Sequence, residues 1–199
     1  MKGLPVLCVT NRNLCKKDFL SQIEGIAQGR PQGILLREKD LSEQEYRQLA
    51  AQCLTICRRY HVDLIIHSYP RVARELSVSK IHLPLERFLR ERDLLEGFQQ
   101  IGVSIHSPEE ARQAQRMGAG YLIAGHIYPT GCKPGLPPRG LDFLQKVVDS
   151  VSIPVYAIGG ITPARAMEVA KMGAQGICVM SQLMTSSCPQ ELLKAYASW

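Results

Sequence analysis

The chain alternates short apolar runs with amphipathic stretches almost from end to end. Eight runs have the length and β-branched content of buried strands, at residues 5–10, 33–37, 63–67, 79–83, 102–106, 121–125, 154–158 and 175–180. Between them, apolar residues three and four positions apart indicate helices, for example at residues 42–59, 107–117, 140–148 and 162–172. Eight strand–helix units in 199 residues predict an α/β fold, a compact (β/α)₈ TIM barrel that forms a single domain over residues 1–199.

An open, doubly wound sheet is the competing arrangement of the same elements. That fold normally carries a glycine-rich phosphate loop after its first strand, whereas residues 10–13 read Thr-Asn-Arg-Asn here. The barrel is therefore preferred. Two helix starts are well marked, because Ser42 and Ser107 are suitable N-cap residues and glutamates follow in the first turn. Residues 86–100 are rich in charged residues and show little regular spacing of apolar residues, so their structure is the least well predicted.

Composition narrows the classes of function. The 24 Lys and Arg residues outnumber the 18 Asp and Glu residues, and the formal net charge is +6. The basic residues are scattered and aromatic residues make up only 6% of the chain, which argues against a nucleic-acid partner. A basic balance also suits an enzyme whose substrate is a phosphate ester, because a positive field concentrates anions.

The cysteines and the hydropathy predict a cytoplasmic protein. The seven cysteines form no CxxC pair and no zinc-type spacing, a pattern typical of a reducing compartment. No secretory leader is recognisable, and the longest apolar runs fall far short of the ~20 residues needed to cross a bilayer. We therefore expect neither processing nor a membrane partner.

The chemistry of such a barrel is expected at the carboxyl ends of the strands and in the loops beyond them. Side chains alternate between the two faces of a strand. This alternation puts Ser104 and His106 on one face of the fifth strand. In the sixth strand it puts His126 on the same face as Leu122 and Ala124.

Two further strand-end features point to the mouth of the barrel. Arg37 and Lys39 share a face of the second strand with Leu35, so both cations are predicted to reach the mouth together. The loop at residues 126–135 is dense in glycine and proline and longer than most connectors in α/β folds. We prefer a substrate-holding role to a rigid surface excursion, because His126 stands at the strand exit.

Residues 157–163, together with residues 179–181, predict a phosphate site. Gly159 and Gly160 follow strand seven and let backbone N–H groups approach a phosphate, and a helix N-terminus comes next. The loops after strands seven and eight form the usual phosphate site of such barrels. A Gly-Gly pair is also typical of a tight turn, but its place in the strand order favours phosphate binding.

The histidines differ in what they predict. His61 is expected at a helix end, where it faces solvent or caps the helix. His67 closes strand three, His82 fits a core position in strand four as well as a site position, and His106 fits a role in orienting a neighbour. His126 is preferred for proton transfer, because an imidazole with a pKa near neutrality accepts a proton and returns it.

Seven stretches resemble the thiamin phosphate synthase and TenI superfamily, in matching order and spacing over essentially the whole chain. They are residues 8–11, 33–39, 82–83, 102–106, 121–133, 157–162 and 176–181. The resemblance implies a TIM barrel and one of two activities. One is a synthase that joins a pyrimidine diphosphate to a thiazole phosphate using magnesium, and the other is a tautomerase that aromatises a thiazole carboxylate phosphate.

The sequence departs from the synthase pattern at the positions that this pattern uses to bind magnesium. The Asn-Asp pair after strand three is His67 and Ser68 here, and Arg87 stands where an aspartate follows strand four. The glutamine that the synthase offers to the pyrimidine is Leu35. Magnesium prefers oxygen ligands. Glu86 could replace one of the missing carboxylate ligands but not all of them. We therefore expect no metal and no other cofactor.

The remaining matches favour an isomerase, closest to the TenI-type thiazole tautomerase. They imply that His126 is the catalytic group, removing a ring proton and returning it to the exocyclic carbon, while Arg37 and Lys39 hold the substrate carboxylate. The phosphorylated thiazole is the expected partner, and its other implied contacts are Ser104, Thr130, Lys133, Gly159, Gly160, Met180 and Ser181.

Three alternatives stay open at this point. The first is a synthase with an altered metal site, which is a transferase. The second is a non-catalytic barrel that binds thiamin intermediates or regulates other proteins. The third is an unrelated phosphosugar isomerase, because many barrels share the phosphate site. The resemblance is also compatible with a homodimer.

Overall fold

The computed structural model describes residues 3–133 and 135–197, and within them eight parallel strands close into a barrel in sequence order. The first strand pairs with the second, where Leu7 lies opposite Gly33, and with the eighth, where Cys8 lies opposite Val179. An open sheet would have two edge strands with one partner each, whereas each of the eight strands here has two. The predicted (β/α)₈ TIM barrel is therefore confirmed, and the doubly wound alternative is wrong. The strands are β1 (Val6–Val9), β2 (Gly33–Leu36), β3 (Asp63–His67), β4 (Lys80–Pro84), β5 (Gln100–Ile105), β6 (Tyr121–Gly125), β7 (Val155–Ile158) and β8 (Gly176–Val179).

Helices surround the strands and agree with the predicted ones except at their end residues. They are α1 (Phe19–Gln28), α2 (Glu43–Tyr60), α3 (Pro70–Glu75), α4 (Leu85–Arg90), α5 (Pro108–Arg116), α6 (Gly140–Asp149), α7 (Pro163–Lys171), α8 (Ser181–Thr185) and α9 (Pro189–Ala197). The poorly predicted stretch 86–100 holds most of α4 and a 3₁₀ turn at Arg92–Leu94. Among the described residues, no helix combines the length and the apolar content needed to cross a membrane.

The two predicted helix starts are confirmed. The Ser42 side chain accepts a hydrogen bond from the backbone N–H of Glu45, and the Glu45 carboxylate accepts one from the Ser42 backbone N–H at 2.9 Å. This reciprocal capping satisfies donors that the first turn of a helix leaves free. The Ser107 hydroxyl accepts from the backbone N–H of Glu110 at 3.1 Å in the same way. These caps fix where the chain enters α2 and α5.

The core has two layers. The larger layer lies between the strands and the helices and contains, for example, Leu122 and Ala124 of β6. The smaller layer fills the barrel interior, and its members are Leu7, Val9, Leu35, Ile65, Tyr121, Ile123 and Cys178. Because alternate residues of each strand enter alternate layers, the inward-facing residue nearest a strand's carboxyl end is aimed at the mouth of the barrel.

Candidate active site

A cavity of about 790 Å³ opens at the carboxyl ends of the strands. Its volume lies in the range of small-molecule sites. All ten residues predicted for the site line this cavity, namely Arg37, Lys39, Ser104, His126, Thr130, Lys133, Gly159, Gly160, Met180 and Ser181. The structure therefore brings together residues from the ends of five strands and the loops that follow them, as the strand order predicted.

The glycine pair after β7 forms one wall of the cavity. Gly159 and Gly160 have φ angles of +103° and +65°, a region that favours glycine. A Cβ on Gly159 would lie 2.3 Å from the Cβ of His126, and a Cβ on Gly160 would lie 2.5 Å from the carbonyl oxygen of Pro129. The pair thus lets the loop after β6 lie directly against the end of β7. Outside the strand ladders of the described residues, neither glycine N–H donates a hydrogen bond to a backbone carbonyl.

The end of β8 completes this wall. Met180 and Ser181 line the cavity at the point where the short helix α8 begins. TIM barrels commonly bind phosphate between the loops after strands seven and eight, next to a short extra helix. The arrangement here has the same parts in the same places.

His126 lines the cavity, but the predicted reason is wrong. Alternation placed it on the face of Leu122 and Ala124, and those two side chains pack in the layer between strands and helices. The strand ends at Gly125, so the two-residue period no longer applies at His126. The imidazole Nε2 lies 3.3 Å from the carbonyl oxygen of Leu136, which links the ring to the loop that follows.

Arg37 and Lys39 line the cavity as predicted, and Lys133 of the loop after β6 joins them. Glu38 lies between the first two in the chain and points away from the cavity, with a side chain only 1% exposed. Its carboxylate accepts a hydrogen bond from the Thr10 hydroxyl at 2.6 Å, and the backbone N–H of Arg37 donates to the same hydroxyl at 2.9 Å. This buried anchor holds the end of β2 so that the two cations face the cavity.

The three cations repel one another. The pKa of Lys39 is lowered first by the charge of Arg37, then by burial and by the charge of Lys133. Burial lowers the pKa of Arg37, an effect that Glu38 partly offsets. None of the three side chains forms an ion pair within the described residues. A cavity with several uncompensated positive charges attracts an anion.

Two neutral histidines lie deep in the cavity. His82 is fully buried, with Nε2 2.8 Å from the Ser104 hydroxyl oxygen and Nδ1 3.2 Å from the Tyr121 hydroxyl oxygen. Burial lowers the pKa of His82 to about 3. The His67 ring stacks on it at 6.0 Å between centroids, and burial with the neighbouring charges lowers the pKa of His67 well below its ordinary value. Both rings therefore offer hydrogen bonds without positive charge near neutral pH.

Several other residues line the cavity that sequence reasoning did not select. They include Asn11, Cys178 and Gln182. Cys178 lies two residues before Met180, so the strand period was a usable signal for it. Asn11 and Gln182 lie outside the strands and carried no such signal. His106 also lines the cavity, and its Nδ1 lies 3.3 Å from the last carbonyl oxygen of β6, which is consistent with the predicted orienting role.

The residues present do not fit a magnesium ion. The described lining of the cavity contains no Asp and no Glu. Arg87 forms a bidentate ion pair with Glu91, with both N···O distances 2.8 Å, and the Glu86 side chain is 87% exposed. In residues 3–133 and 135–197, no group of three His, Cys, Asp or Glu side chains is arranged to hold a metal. The set of oxygen ligands that magnesium prefers is missing.

Comparison with known proteins identifies the family. The sequence profile of the family described as thiamine monophosphate synthase matches residues 6–183. The chain belongs to this family. It is 31% identical over 191 residues to a thiamine-phosphate synthase of Fusobacterium nucleatum, covering 93% of this chain and 91% of that protein. It is 35% identical over 184 residues to one of Clostridium acetobutylicum, covering 89% and 86%. The thiamine phosphate pyrophosphorylase of Pyrococcus furiosus superposes with a TM-score of 0.82 at 29% identity, covering 97% and 93%.

These relatives correct the tautomerase hypothesis. Relatives of the thiamine monophosphate synthase family that are 31% and 35% identical to this chain are named synthases. The predicted isomerase activity is therefore wrong, and so is the proton shift that it assigned to His126. The missing metal ligands favour an isomerase, but the similarity to the synthases covers most of the chain. Because the carboxylate belongs to the tautomerase substrate, the predicted role of Arg37 and Lys39 in holding it no longer applies.

Proposed function

We propose that this chain is a thiamine-phosphate synthase, a transferase that joins a pyrimidine diphosphate to a phosphorylated thiazole. The observation that carries the proposal is the cavity of about 790 Å³, which has a cationic wall and a separate glycine-lined wall. Two anionic substrates need two such walls if both are to be held at once. The names of relatives that match 93% and 89% of this chain support the same assignment.

The thiazole phosphate is assigned to the wall formed by β7 and β8. The N–H groups of Gly159 and Gly160 and the hydroxyl of Ser181 are the proposed phosphate donors. Met180 supplies an apolar surface beside them. Ser104 and Thr130 line the same cavity and are proposed to contact the thiazole ring.

The pyrimidine diphosphate is assigned to the cationic wall. Arg37, Lys39 and Lys133 supply the charge that a diphosphate needs. In the proposed reaction, the thiazole nitrogen forms a bond to the carbon that carries the diphosphate. That carbon's bond to oxygen breaks, and its electron pair leaves on the diphosphate. Cations placed where this negative charge develops lower the barrier.

His126 is proposed to position the site and not to transfer a proton. Joining the two rings in this way moves no proton, so the reaction needs no base at this place. The Cβ of His126 packs against Gly159, and the Nε2 of its ring lies 3.3 Å from the carbonyl oxygen of Leu136. His126 thereby holds the loop that carries Thr130 and Lys133 over the cavity.

The test is formation of thiamine phosphate from the two substrates. Purified protein is incubated with both, once with excess Mg²⁺ and once with EDTA, and the product is measured after oxidation to its fluorescent thiochrome. Product in either buffer supports the proposal. Absence of product in both buffers contradicts it.

A matched pair of serine variants tests the placement of the thiazole phosphate. Ser181→Ala removes a hydrogen bond to a charged group, so KM for the thiazole phosphate is expected to rise roughly 10- to 100-fold. Ser187→Ala changes an exposed serine outside the cavity and should leave KM unchanged. An unchanged KM in both variants would show that the thiazole phosphate does not bind at this wall.

A further inference from the structure

The positions at which the family's pattern calls for a metal lie near the cationic wall, since Arg37, Lys39 and Arg87 all act on the charge of His67. The resemblance to the synthase implies carboxylates at Ser68 and Arg87, next to β3 and β4. The structure has a hydroxyl at the first position and a guanidinium at the second, and that guanidinium is paired with Glu91. The two implied carboxylates are therefore absent on this side of the barrel.

The cavity itself is cationic. Arg37, Lys39 and Lys133 all line it, and its described lining carries no carboxylate to balance them. A divalent cation placed among these side chains would be repelled and would lack protein oxygen ligands of the kind it prefers. A polyanion, in contrast, would be attracted by all three.

The charges on this wall already disturb one another. Repulsion from Arg37 and Lys133 lowers the pKa of Lys39, and the same wall helps to lower the pKa of buried His67. A bound polyanion would relieve this repulsion. The buried Glu38 anchor holds the wall in place before any ligand arrives, so little reorganisation is needed on binding.

We infer that this chain binds the diphosphate of its substrate directly on Arg37, Lys39 and Lys133, without a divalent cation. The inference rests on the proposed function and adds that the residues present do not fit a divalent cation beside the diphosphate. In the coupling step, the electron pair of the breaking carbon–oxygen bond passes to the diphosphate, and the three side chains compensate that charge. The site thus differs from the magnesium-dependent pattern of its own family.

The experiment measures binding of inorganic pyrophosphate by isothermal titration calorimetry. One titration contains EDTA, and the other contains Mg²⁺ in excess over pyrophosphate. We expect binding in EDTA that is as tight as, or tighter than, binding with Mg²⁺, because the magnesium complex carries less negative charge. Tighter binding in Mg²⁺, or no binding in EDTA, would overturn the inference.

A pair of lysine variants locates the binding. Lys133→Met removes one cation from an exposed loop, so the fold is not at risk, and the affinity for pyrophosphate in EDTA should fall roughly 10- to 100-fold. Lys171→Met removes an exposed lysine at the end of α7, outside the cavity, and should change the affinity little. Equal affinities for the two variants would mean that pyrophosphate binds elsewhere, which also overturns the inference.

The two proposals fail in different ways. Pyrophosphate binding in EDTA without any formation of thiamine phosphate would contradict the proposed function alone. Formation of thiamine phosphate that requires Mg²⁺, together with pyrophosphate binding that requires it too, would contradict the direct binding alone.

Discussion

The two walls of the cavity are built from different chemical groups. On the side of β7, the candidate contacts are backbone N–H groups of Gly159 and Gly160 at positive φ. On the side of β2 to β4, the contacts are side chains, with Arg37 and Lys39 at the rim and His82 deep inside. The glycine-lined wall, called the backbone wall below, follows the general pattern of phosphate-binding barrels. The cationic wall with the neighbouring histidines, called the side-chain wall below, is the one at which this chain departs from the synthase pattern.

The difference has a physical origin. A backbone wall needs only the absence of side chains and a suitable turn, so its chemistry is the same in any barrel that keeps the glycines. A side-chain wall changes its charge with each substitution. One barrel can therefore keep its anchor for a monophosphate while the counterions of a second substrate change.

The largest effect is expected from breaking the backbone wall with Gly159→Ala. The new Cβ would lie 2.3 Å from the Cβ of His126, and φ is +103°. Overlap and backbone strain together should lower the free energy of unfolding by about 2 to 5 kcal/mol and abolish turnover. Urea denaturation followed by circular dichroism measures the first effect, and the thiochrome assay the second.

Gly118→Ala is the matched control for that substitution. Gly118 has a similar φ of +90°, but a Cβ there would meet no atom within 4 Å. Only the backbone strain remains, which should cost about 1 to 2 kcal/mol and leave turnover intact. Equal losses at both glycines would show that the contact with His126 does not matter.

A smaller effect is expected from acid on the side-chain wall. The pKa of His82 is about 3 in the folded protein and about 6.5 in the unfolded chain. Below pH 6.5 the unfolded chain therefore binds a proton that the folded protein does not, so stability is present above this pH and is lost toward pH 3. Between pH 7 and pH 5, His82 alone should reduce the free energy of unfolding by about 2 kcal/mol. His67, whose pKa is also lowered, should add to the loss.

The groups that contact His82 determine how its protonation is measured. Its ring contacts Ser104 and Tyr121, stacks on His67, and has Arg37 as a nearby charge. Urea melts at several pH values give the slope, and NMR titration of the histidine ring protons identifies its source. The His67 and His82 signals should stay constant between pH 7 and pH 5. Titration of either signal near pH 6.5 would contradict the assignment.

The smallest effect is expected from Glu86→Gln. Glu86 is the one acidic residue offered as a replacement metal ligand, but its side chain is 87% exposed and lies next to Arg90. Its removal should change the free energy of unfolding by less than about 0.5 kcal/mol. Adding Mg²⁺ should not raise Tm in either the natural protein or the variant. A rise in Tm with Mg²⁺ that disappears in Glu86→Gln would show that Glu86 helps to bind a metal ion.

Sequence patterns were sufficient for the order of the strands, and incomplete for the site. Period-two alternation placed Arg37, Lys39 and Ser104 correctly, because those residues lie within or just beyond regular strands. It failed at His126, because the N–H of Ile127 and not that of His126 donates to the carbonyl oxygen of Ile158, so the chain leaves the regular strand ladder there. The activity was misjudged for another reason. The substituted metal positions favour an isomerase over a synthase, whereas the similarity over most of the chain supports the synthase.

The sequence by itself determined the barrel and the glycine wall, because strand periods, helix caps and a Gly-Gly turn are local features of the chain. Which charges face each other depends on how distant parts of the chain pack. Arg37 and Lys133 are far apart in the chain, and whether a carboxylate accompanies them depends on how β2 and the loop after β6 pack. The charge state of His82 also depends on the tertiary structure, since the ring stays neutral because residues from several strands exclude water from it.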